Sequence, residues 1–100
     1  MANTAKALAR GAFATSSATL YTVPSSTTAV VTNICVVNTD SASGTFTLLI
    51  DGQELFKTVT VLANTTTVID LKQVMATTKI LAGFASATTM KYHISGMEIA

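Results

Sequence analysis

The chain has 100 residues, of which 49% are hydrophobic and 11% charged, with a formal net charge of +1. Soluble domains carry about 25% charged residues, so the polar surface here falls to uncharged Thr and Ser. The length suits one domain with its own core. The six cations (Lys6, Arg10, Lys57, Lys72, Lys79 and Lys91) are scattered, which argues against the basic stripe that nucleic acid requires.

Residues 1–16 read as an N-terminal arm. Ala, Leu, Lys and Arg in residues 4–10 favour one or two helical turns, and Gly11 would end them. A helix this short is marginal alone, so the segment is expected either to be an arm that orders against a partner, through Leu8 and Phe13, or to be a frayed terminus. Burying those two side chains gains roughly 3–6 kcal/mol before ordering costs. The first 20 residues lack the apolar h-region of a signal peptide. No stretch approaches the roughly 18 apolar residues of a membrane helix, so a soluble context is expected.

From Ala18 the pattern is that of strands. Residues 18–23 form a short one, closed by Pro24-Ser25-Ser26. Residues 28–38 are rich in β-branched side chains and predict the strongest strand. Strict alternation would place Val30, Thr32, Ile34 and Val36 on one face, and Ala29, Val31, Asn33, Cys35 and Val37 on the other. Residues 39–44 read as a loop. Residues 45–50 alternate clearly, and Asp51-Gly52 is a hairpin signal leading to a return strand over 53–58 that continues or bends to 62. Residues 65–71 form another strand, and Lys72–Ala76 has weak helical character. Short strands follow at 79–84 and 88–99. Seven or eight short strands at this spacing predict an all-β, single antiparallel β-sandwich, jelly-roll-like, over residues 17–100. The absence of βαβ alternation argues against a parallel sheet.

No constellation of residues supports catalysis. His93 is the only histidine, and Ser95-Gly96 lacks the Gly-x-Ser-x-Gly context of a nucleophile elbow. Asp51 and Glu54 flank a turn, where carboxylates are ordinarily solvated. Asp40, Asp51 and Asp70 lack the spacing of a calcium loop. Cys35, the only cysteine, excludes an intrachain disulfide and is expected to be a buried, inert thiol. Asn64-Thr65-Thr66 fits a glycosylation triplet but reads better as turn chemistry. No enzyme activity, cofactor or metal is expected. The lack of Trp and the presence of only two Tyr weigh against a carbohydrate-binding module.

Four segments, in order, carry a resemblance. They are Leu20-Tyr21-Thr22-Val23-Pro24, the strand ending Ile34-Cys35-Val36-Val37-Asn38-Thr39, Ile80-Leu81-Ala82-Gly83, and Ile94-Ser95-Gly96-Met97-Glu98-Ile99. Together they resemble the β-sandwich modules of small tailed-bacteriophage structural proteins. One departure is Phe84, where such modules often place Asp. The resemblance implies a non-enzymatic virion protein assembled in the host cytoplasm. A capsid decoration or cement protein is the first expectation, and a tail, fibre or adaptor component the second. Its implied partners are the major capsid protein or other virion proteins and copies of itself, a trimer being one such homo-oligomer. Neither nucleic acid nor membrane is among them.

Overall fold

Val, Ile and Thr dominate the stretches between turn residues, and their branched side chains suit a pleated surface. In the computed structural model, which describes residues 3–100, these stretches form eight strands. They are β1 (Asn3–Ala12), β2 (Ala18–Thr22), β3 (Thr28–Asn38), β4 (Gly44–Ile50), β5 (Gln53–Val61), β6 (Thr66–Met75), β7 (Ile80–Ala85) and β8 (Met90–Ile99). The described residues contain no helix long and apolar enough to cross a membrane.

The strands make two four-stranded antiparallel sheets, ordered β1-β8-β3-β6 and β2-β7-β4-β5. One buried apolar cluster draws on both sheets, with Ile34, Val36, Met90 and Ile94 from the first and Phe46, Leu48 and Leu81 from the second. Aromatic rings join them: Phe13 lies 4.9 Å from Tyr92 and 6.1 Å from Phe46, centroid to centroid. Between β4 and β5, Asp51 and Gly52 both take positive φ (54° and 76°). That pair of left-handed residues matches the right-handed twist of the flanking strands, as the Asp-Gly signal predicts.

Four sequence expectations are corrected. The segment expected as a detached arm is β1, paired with β8 from Asn3↔Ile99 to Ala12↔Lys91. Leu8 and Phe13 are buried in the chain's own core, at 8% and 1% exposure, rather than offered to a partner. The Phe13 amide also donates to the Met90 carbonyl (2.9 Å). Met1 and Ala2, the start of that expected arm, lie outside the described residues. Where helical turns are expected over 4–10 and 72–76, residues 4–10 and 72–75 are strand, because pairing with β8 and β3 outweighs a weak local propensity.

The alternation of β3 also breaks. Ala29 and Val31 are buried, but so are Ile34, Val36 and Asn38. The register to both neighbours shifts between Val31 and Asn33, and a single unpaired residue turns all later side chains over. Cys35 consequently falls on the outer face and is only half-buried. The irregularity crosses the whole sheet, since β1 shifts register against β8 at Ala7/Ala9.

Candidate interaction surface

The residues that carry the sequence resemblance are internal fastenings. Tyr21 on β2 donates its hydroxyl hydrogen bond to Glu98 on β8, linking the two sheets. Lys6 on β1 completes the group with an ion pair to Glu98 at 3.3 Å. The Tyr21 hydrogen bond, with help from Lys6, holds the Glu98 carboxyl below its ordinary range against a smaller opposing effect of burial. Burial first, and Glu98 second, push the Tyr21 phenol up, so it stays protonated as the donor. Gly96 is small because a Cβ there would collide with the Val30 carbonyl oxygen and approach Leu8 to 2.9 Å. Asn38 is buried, and its amide donates to the Ala42 and Val61 carbonyls (2.9 and 3.1 Å). Its side-chain oxygen accepts from the Asp40 amide (3.0 Å). All these groups are occupied with holding strands together.

The residues considered for chemistry are dispersed. His93 is exposed on β8 between Arg10 of β1 and Cys35 of β3, with no carboxylate in either paired position. The three aspartates have separate partners. Asp40 accepts from the Ser41 amide (2.7 Å), Asp51 pairs with Lys79 (3.6 Å), and Asp70 accepts from the Asn33 amide group (2.9 Å). Among the described residues, no three His, Cys, Asp or Glu side chains gather as a metal set would require. Cys35 donates weakly to the Asn33 side-chain oxygen (3.3 Å). Asn64 takes a left-handed φ of 55°, and Thr65 donates to the Leu62 carbonyl (2.7 Å), which is turn chemistry.

Large apolar side chains are exposed at Leu62, Val68, Val74 and Ile80, and two of them, Val68 and Val74, share one strand, β6. The burial of β6 alternates from Thr66 to Lys72, after which Gln73 and Val74 are both exposed and Met75 is buried. Ile69 and Leu71 pack against the core, whereas Val68 and Val74 are 60% and 69% exposed. Asp70 and Lys72 are exposed between them. An open hollow of about 420 Å³, lined by Thr32, Asp70, Leu71 and Lys72, sits where the β3–β6 register slips.

The sequence matches no family model and no curated protein.

This surface is hidden in the sequence, where the strand is expected to end at Leu71 and Lys72–Ala76 has weak helical character. The sequence signal is partial: Thr67, Ile69 and Leu71 keep a strand's period of two, but Gln73 interrupts it, and the apolar residues 71, 74 and 75 suit a helical turn equally well.

Proposed function

We propose that this chain is a non-enzymatic structural subunit of a tailed-bacteriophage virion, which decorates or cements the capsid through contacts with coat protein and with copies of itself. In this reading the two sheets pack face to face as an eight-stranded jelly-roll sandwich. The observation that carries it is the strand order β1-β8-β3-β6 and β2-β7-β4-β5. It is the connectivity obtained when two Greek keys fold over one another, an architecture found in viral capsid domains. Fold alone does not fix function. The ordered motifs around Tyr21, Asn38, Gly83 and Glu98 lend the virion reading its further support, and the low charge suits a surface that neighbours cover.

The test uses virions purified from cells producing an epitope-tagged copy of the chain. Gold labelling over the shell, with hundreds of copies per particle by quantitative mass spectrometry, is the expected result. Label confined to the tail, at a handful of copies, would replace decoration with a tail, fibre or adaptor role. Particles free of the chain would overturn the virion reading altogether.

A further inference from the structure

Four strands lie at sheet edges, and they are protected unequally. β1 carries Lys6 and Arg10, two like charges. β2 has five residues and is followed closely by Pro24. β5 carries Glu54 and Lys57, and its register to β4 breaks twice. These are the usual ways in which an edge is kept from pairing further. The remaining edge, β6, shares with β5 one charge of each sign and has a single register break, but it is ten residues long, has no proline and exposes Val68 and Val74. Among the described residues it bonds to β3 on one side and to no strand on the other.

We propose that β6 is a self-association edge, pairing antiparallel with β6 of a second copy about a two-fold axis at Leu71. The sequence is self-complementary about that point. Asp70 then faces Lys72 of the second copy, and Val68 faces Val74, on the same side of the sheet. Moving the axis to Asp70 would set Asp70 against itself, and moving it to Lys72 would set Lys72 against itself. Directly opposed like charges destabilise a ladder, whereas opposite charges and apolar pairs support it. The slip in the β3–β6 register falls at Leu71 and Lys72, on the axis itself. The regular runs on either side, Thr66–Asp70 and Gln73–Met75, are left to make the ladder. The contact is isologous, closes at two copies, and joins two four-stranded sheets into one of eight. It gives the self-association in the proposed function a defined surface, resting on that reading only for the association and not for the particle.

Charge variants test the register in the purified protein. Asp70→Lys and Lys72→Asp should each be monomeric by analytical ultracentrifugation, because each sets like charges together. Mixed in equal amounts they should form a species of twice the 10.4 kDa chain mass, since every facing pair is then opposite in charge. Cross-linking tests the geometry independently. Cys35 lies across from Val68 in the β3–β6 register, so it is first replaced by Ala. Val68→Cys and Val74→Cys should then stay uncross-linked alone under mild oxidation and form a disulfide dimer when mixed. Circular dichroism checks that each variant is folded. An unmodified chain that is monomeric up to about 1 mM, or that forms only trimers, would overturn the proposal. So would cross-linking of Val68→Cys to itself. Label on the virion shell combined with a failed mixing experiment would remove the β6 contact and leave the virion reading standing.

Discussion

Glu98 ties three strands, because Tyr21 of β2 and Lys6 of β1 both bind its carboxylate from β8. Its folded-state pKa is lowered from an ordinary 4.5. A carboxyl with a lowered folded pKa stabilises the fold above its unfolded pKa, and loses that contribution as pH falls through the folded value. Glu98→Gln is therefore expected to cost about 1 kcal/mol at neutral pH. The deficit relative to the parent should shrink below about pH 4.5, as read by urea denaturation across pH. Thr58 is strained for a different reason. It takes φ of 54° at a break in the β4–β5 register, where its amide donates to the Thr47 hydroxyl (3.0 Å). A β-branched residue in the left-handed region costs roughly 1–2 kcal/mol, and Gly avoids that at some cost in chain entropy. Thr58→Gly should raise unfolding stability by about 0.5–1 kcal/mol, measured by the same denaturation, while keeping the amide hydrogen bond.

β1 shows where sequence patterning stops being informative. Its residues Ala5, Lys6, Ala7, Leu8 and Arg10 have helical preferences, and the strand is imposed by β8, more than 80 residues later in the chain. Leu8 and Phe13 were recognisable as apolar anchors, but nothing in the local pattern says that their partner is the chain itself. β3 was legible in its bounds, because its β-branched run is continuous, and illegible in its faces, because a bulge leaves no mark on the hydrophobic pattern. Asp51-Gly52 was fully legible, since two successive left-handed residues demand that chemistry. Among the site residues, Tyr21, Asn38 and Glu98 stood out by motif, while their mutual bonds required the fold. Removing residues 3–13 is expected to unfold the protein rather than release a domain, with loss of the β-type circular dichroism signal. Phe13→Ala alone should cost about 3–5 kcal/mol in denaturant unfolding, because the ring fills space between Phe46 and Tyr92.

Over the whole molecule, most strand pairs join distant parts of the chain, β1 with β8 and β2 with β7 among them. Closing such long loops costs entropy before any contact forms, so folding is expected on the millisecond-to-second scale, with stopped-flow refolding as the measurement. The same connectivity sets Asn3 beside Ile99 and Thr4 beside Glu98 in adjacent strands. A few Gly and Ser residues could therefore bridge the two ends, and the chain could be reopened at the exposed Asp51-Gly52 turn. Such a circular permutant keeps all six strand ladders but converts the most distant one, β8 with β1, into an ordinary hairpin. It should reach the same native state by a faster route, separating what the order of strands along the chain contributes from what their arrangement in space contributes.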